Sequence, residues 1–117
     1  MNNEEFVGLI NKNVRKTVVG IVESDLRDLS ADNKILKELS EWYSKKDDAE
    51  KEIIGKLITR VYDCAAWRIL LTFDSGNKYG GDFELYFKDS SSGEKISLID
   101  PPALDELHEL YVPEFKE

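Results

Sequence analysis

The spacing of apolar residues changes once along this 117-residue chain, near residue 67, and that change limits the folds open to it. Before it, apolar residues recur at intervals of three and four, which puts them on one face of a helix. Phe6, Leu9, Ile10, Val14, Val18, Ile21, Val22, Leu26 and Leu29 form one such stripe and predict a long first helix. Residues 17–22 are β-branched around an internal Gly20, so that stretch suits a short strand or a kink; the reading adopted is one helix bent at Gly20. A second helix fits Ile35, Leu36, Leu39, Trp42 and Tyr43, with Ser30 or Asp32 as its cap. The third has the clearest start. Asp47 and Glu50 stand at capping-box spacing, and Ile53, Ile54, Leu57, Ile58, Val61, Tyr62 and Ala65 follow as a wide apolar face.

After Ala66 the period falls to two. Trp67, Ile69, Leu71 and Phe73 alternate with Arg68, Leu70 and Thr72. Phe83, Leu85 and Phe87 alternate with Glu84, Tyr86 and Lys88, and Ile96 and Leu98 with Lys95, Ser97 and Ile99. Glycines at 76, 80, 81 and 93 mark the separators as turns. The pattern predicts a three-stranded antiparallel meander with Phe83, Leu85 and Phe87 against the helices and Glu84, Tyr86 and Lys88 outward. Asp100, Pro101 and Pro102 then open a last helix, with Leu104, Leu107, Leu110 and Tyr111 inward and Pro113 as its end. The expectation is a single α+β domain over residues 1–117: three N-terminal helices packed on the meander, with a C-terminal helix.

Charge is divided as unevenly as periodicity. Residues 74–117 hold eleven Asp or Glu against Lys78, Lys88, Lys95 and Lys116, a net of −7 out of −8 for the whole chain. Such a field repels nucleic acid and anionic lipid and attracts a basic protein. The basic groups Lys12, Arg15, Lys16 and Lys51, Lys56, Arg60 read as solvated helix flanks. No apolar run approaches the roughly 20 residues that cross a bilayer, and the N-terminal stretch has no signal-type core. Lone Cys64, expected to be a buried small hydrophobe, has no partner for an internal disulfide. The expected location is the cytoplasm.

Side chains for chemistry are few. His108 is the only histidine, and Asp105 is the acid expected to share its helical face. A His–Asp pair without a neighbouring nucleophile is not a catalytic pattern. Residues 74–78 put Lys78 where a calcium loop needs an oxygen donor, and the glycines form no phosphate-binding loop. The reading is a non-enzymatic binding protein with no metal or cofactor. Its candidate partner surface is Asp74, Tyr79, Asp82, Glu84, Tyr86 and Asp89, where tyrosines offer stiff amphipathic contact and carboxylates offer bonds to Arg or Lys.

The layout carries a resemblance as well. Helices, then WRILLTF (residues 67–73), a glycine-rich hairpin, GDFELYF (residues 81–87) and a closing helix resemble small acidic bacterial immunity proteins or antitoxins, over residues 47–111. Those proteins neutralise nuclease toxins of polymorphic or contact-dependent systems without being enzymes. The resemblance implies a basic toxin domain as partner and Tyr79, Asp82, Glu84 and Tyr86 as contacts. The alternative is a homo-oligomeric adaptor or scaffold unrelated to toxins, with a homodimer formed by pairing across a sheet edge.

Overall fold

Between Lys56 and Ser75 the sequence contains neither glycine nor proline, and the helix that starts at residue 47 runs through all of it. The structure, a computed structural model, describes residues 1–99 and 106–111. In it the third predicted helix is α4 (Asp48–Asp74), 27 residues and about 40 Å long. Asp47 and Glu50 close the expected capping box, with Glu50 N–H donating to Asp47 Oδ1 at 2.8 Å and Asp47 N–H to Glu50 Oε1 at 3.0 Å.

The first predicted strand is therefore absent, and the three-stranded meander is corrected to a two-stranded hairpin. Residues 67–73 satisfy two periods at once. Their odd positions alternate, but Ala66, Leu70 and Phe73 also continue the turn that carries Asp63. The helix wins because no residue stops it and because Ala66 and Leu70 are buried at that spacing. Thr72 Oγ1 donates back to the Arg68 carbonyl at 2.8 Å, a bond across one helical turn. Arg68 consequently has no neighbouring strand to pair with, and Cys64, expected inside, lies exposed.

The first helix is one run, as expected, but its irregularity lies elsewhere. Asn2 caps α1 (Asn3–Gly8) with a full capping box. A π-helical turn (Leu9–Val14) follows and leads directly into α2 (Arg15–Arg27), in which Gly20 is regular helix. α3 (Lys34–Ser44) is capped by Asn33, which accepts from the N–H groups of Ile35 and Leu36. Neither Ser30 nor Asp32 does this; Ser30 is instead held by Asp28. β1 (Tyr86–Lys88) and β2 (Lys95–Ser97) pair antiparallel, with Phe87 opposite Ile96. The expected alternation holds over residues 84–88, where Glu84, Tyr86 and Lys88 are exposed and Leu85 and Phe87 half-buried, but Phe83, expected inward with them, lies exposed ahead of β1. The last helix, α5 (Leu107–Leu110), is one turn. Its expected start at Asp100, Pro101 and Pro102, together with Leu104 and Pro113, lies outside the described residues.

Helix α2 packs against both α3 and α4, while α5 packs against α4 and α1. The core sits on the C-terminal half of α4. Val7, Ala66, Leu70, Leu107 and Tyr111 are its buried centre, bordered by Phe6, Ile10, Tyr62, Phe73, Ile99 and Leu110. Among the described residues, the N-terminal half of α4 has no comparable centre. With a radius of gyration of 18.2 Å, against about 13 Å for a compact chain of this length, the molecule is elongated. Among the described residues no helix is long and apolar enough to cross a membrane.

Candidate functional site: the acidic hairpin end

Two internal carboxylates tie the C-terminal segment to the helices. Asp63, on α4, is fully buried. Arg15, at the start of α2, meets it with a two-pronged contact: Nε to Oδ1 at 2.9 Å and Nη2 to Oδ2 at 3.0 Å. Tyr111, just after α5, donates its hydroxyl to Oδ1 at 2.6 Å. One residue earlier on α4, Tyr62 donates to the Ile10 carbonyl at 2.6 Å, inside the π-helical turn. The same Ile10 carbonyl also accepts from the Arg15 N–H, the i→i+5 bond of the π-helical turn. Burial, followed by the bond to Asp63, pushes the Tyr111 phenol well above its ordinary range. Burial and then the Asp63 charge also raise that of Tyr62. This polar knot joins α2, α4 and the C-terminal segment.

The second carboxylate is Asp74, the last residue of α4. It accepts from the backbone N–H groups of Leu107 at 3.1 Å and His108 at 2.9 Å, and His108 Nδ1 lies 2.8 Å from its Oδ2. Both donors belong to the first turn of α5, so Asp74 acts as a distant cap for that turn. Trp67 meets the His108 ring edge-on at 5.7 Å. The ligand atoms of Asp74, Glu106 and His108 lie within 4.8 Å of one another, a spacing a cation can bridge. Both Asp74 oxygens, however, are already engaged with α5, and helix capping accounts for the arrangement. Sequence reasoning paired His108 with Asp105, which lies outside the described residues. The partner seen, Asp74, is 34 positions away and left no local signal.

The remaining candidate residues lie on the outside, beyond the end of α4. A short 3₁₀ turn (Gly76–Tyr79) reverses the chain there. Gly76 is buried against the returning backbone: a Cβ on it would stand 2.8 Å from the Gly81 carbonyl oxygen and 2.9 Å from both Asp82 Cα and Phe83 N. Glycine is therefore required at that crossing, and Gly80 ends the turn with φ of 86°. Phe83 packs edge-on against Phe73 of α4 at 5.6 Å and against Tyr79 at 6.1 Å. Tyr79 nevertheless remains 69% exposed and Tyr86 47%. Asp82 and Glu84 are exposed between them, beside a shallow hollow of about 140 Å³ lined by Gly76, Tyr79, Gly81, Asp82 and Phe83.

No protein-family model, curated protein or solved structure matches this chain.

Asp89 completes the set at the hairpin turn. It accepts from Ser91 Oγ at 2.6 Å and from the N–H groups of Ser91 and Ser92. The Ser91 hydroxyl, then the Ser92 and Ser91 N–H groups, hold its carboxyl down to about 2. It is a turn-forming residue that also keeps its charge. Of the six residues selected from sequence, Tyr79, Asp82, Glu84 and Tyr86 form the outer surface, Asp89 shapes the far turn, and Asp74 points inward. Sequence reasoning missed the Arg15–Asp63–Tyr111 knot. Asp63 stands away from the apolar face read from the sequence, so its burial and its counter-charge appear only in the folded chain.

Proposed function

We propose that this chain is a non-enzymatic binding protein whose acidic hairpin end takes a basic protein domain, and that it acts as an immunity protein against a nuclease-type toxin. The observation that carries this reading is the arrangement of Asp82 and Glu84 between two exposed tyrosines, Tyr79 and Tyr86. Tyr79, Asp82 and Glu84 stand on a loop held by the Gly76 crossing and the Phe73–Phe83 contact, and Tyr86 begins β1 beside it. Tyrosine rings on a fixed loop lose little entropy on binding, and flanking carboxylates accept from Arg and Lys. The concentration of acid in residues 74–117, net −7, suits a basic partner and opposes an acidic one.

Co-expression tests it. The product of the reading frame next to this one is expected to be toxic and basic, to be neutralised by this chain, and to co-purify with it one to one. Asp82→Lys with Glu84→Lys is expected to abolish the protection while leaving the helical circular dichroism unchanged. Full protection by the charge-reversed protein would refute this face. A neighbouring product that is neither toxic nor bound would refute the toxin setting.

A further inference from the structure

The hollow at the tip of the acidic end has the size and the walls of a slot for one side chain. It measures about 140 Å³ and is lined by Gly76, Tyr79, Gly81, Asp82 and Phe83. Small-molecule sites span about 300–1,000 Å³, so a cofactor or metabolite has too little room here. The slot is also preformed. The Gly76 crossing fixes the backbone beside it, and Phe83 packs on Phe73 at 5.6 Å. A partner meets it without first having to order the loop.

Its chemistry selects among side chains. Asp82 is the charged residue of the wall, and it is exposed in the free chain. A docked surface takes water from that carboxylate, and burial without a donor is costly. An apolar side chain would leave Asp82 unmatched, and an acidic one would repel it. A cation satisfies it, and none of the lining residues supplies one. Between the two cationic side chains the aromatic wall decides. Tyr79 is 69% exposed, and it meets Phe83 edge-to-face at 6.1 Å with an interplanar angle of 67°. Such a contact uses at most one face of the tyrosine ring. A planar guanidinium stacks on the other face while its N–H fork meets the carboxylate. The compact, strongly hydrated ammonium of lysine does not match that pair of walls.

We propose that the hollow seats an arginine side chain of the basic partner, its guanidinium stacked on Tyr79 and hydrogen-bonded to Asp82. This rests on the reading of the acidic end as a docking face and names the group that enters it.

The probes are a blocked arginine tripeptide and its lysine counterpart, equal in charge, titrated separately into the full chain. The ring-proton NMR signals of Tyr79 and Phe83 report the binding. The arginine peptide is expected to bind about two- to fivefold more tightly than the lysine peptide, the factor a stacked cation adds. Tyr79→Leu keeps the charge and removes the ring, so it should abolish that preference. Asp82→Asn should weaken both peptides. The discrimination by the wild-type protein stands as a readout that needs no variant to fold. Equal affinity for the two peptides, no shift of either ring signal at any peptide concentration, or a preference that survives Tyr79→Leu would overturn the inference. The toxin reading fails separately. An arginine preference alongside a neighbouring product that is neither toxic nor bound supports the slot and removes only the toxin setting. A basic toxin held as tightly by Tyr79→Leu as by the wild type overturns the slot and leaves the acidic face standing.

Discussion

Asp63→Ala is the substitution whose cost can be worked most fully from the structure. It removes the two Arg15 contacts, at 2.9 and 3.0 Å, and the Tyr111 hydroxyl bond at 2.6 Å. It also leaves a guanidinium that is 15% exposed without its counter-ion. Hydrogen bonds to charged groups contribute about 1.5–3 kcal/mol each, and breaking a buried pair from one side costs about 3–5 kcal/mol. The partial exposure of Arg15 gives water some access, so the lower end, about 3 kcal/mol, is expected. A chain of 117 residues has about 6–17 kcal/mol in all, so this single change removes a large share. The assay is urea unfolding followed by circular dichroism, at one fixed protein concentration so that any self-association contributes equally. With an ordinary slope the midpoint should fall by about 1.5–2 M while the slope itself stays constant. Arg15→Met combined with Asp63→Leu should cost about 2 kcal/mol less than the sum of the two single changes, since neither charge is then stranded. A midpoint shift below about 0.3 M for Asp63→Ala, or simple additivity of the pair, would refute the knot as a stabilising element.

The two raised phenols predict an alkaline limit. Tyr62 and Tyr111 titrate above their ordinary value of 10.0 in the folded state. The unfolded chain therefore releases these protons first, and stability is intact below that pH and falls as pH rises beyond it. Tyr111→Phe should flatten that fall in a series of urea midpoints, and an unchanged slope would contradict the assigned cause. Gly76→Ala forces a methyl group against three backbone atoms at 2.8–2.9 Å and should cost about 1–3 kcal/mol. It should also alter the near-ultraviolet signal of Tyr79, and an unperturbed spectrum would show that the crossing yields easily. Asp89 should stay ionised until pH about 2, and Ser91→Ala should raise that value in a carboxyl NMR titration.

What was legible in the sequence had a local cause. The Asp47–Glu50 box was readable because both halves of the cap lie within one turn, and the outward Glu84, Tyr86 and Lys88 because a strand alternates strictly. Residues 67–73 were misread for a physical reason: a seven-residue run containing Trp, Ile, Leu and Phe fits either period, and only the missing stop signal upstream separates the two. The second helix was found with its cap misplaced, because Ser30, Asp32 and Asn33 are all capable caps and the next apolar turn had to choose among them. The π-helical turn had no sequence mark at all. Its Ile10 carbonyl meets a tyrosine 52 positions away, as the last turn meets Asp74, and such distant partners appear only once the chain is folded. Within the candidate surface, residue type located Tyr79, Asp82, Glu84 and Tyr86, but only packing showed Asp74 turned inward.

The central claim is that the acidic hairpin end recruits a basic domain, and the rate of association with that domain tests it most directly. Measured by stopped flow with the basic product of the neighbouring frame, the rate constant should fall at least about tenfold between low and high salt, while dissociation changes little. Asp82→Lys with Glu84→Lys should bring the low-salt rate down to the high-salt value. Equal rates at both salt concentrations, or a charge-reversed protein that associates as fast as the wild type, would contradict the account.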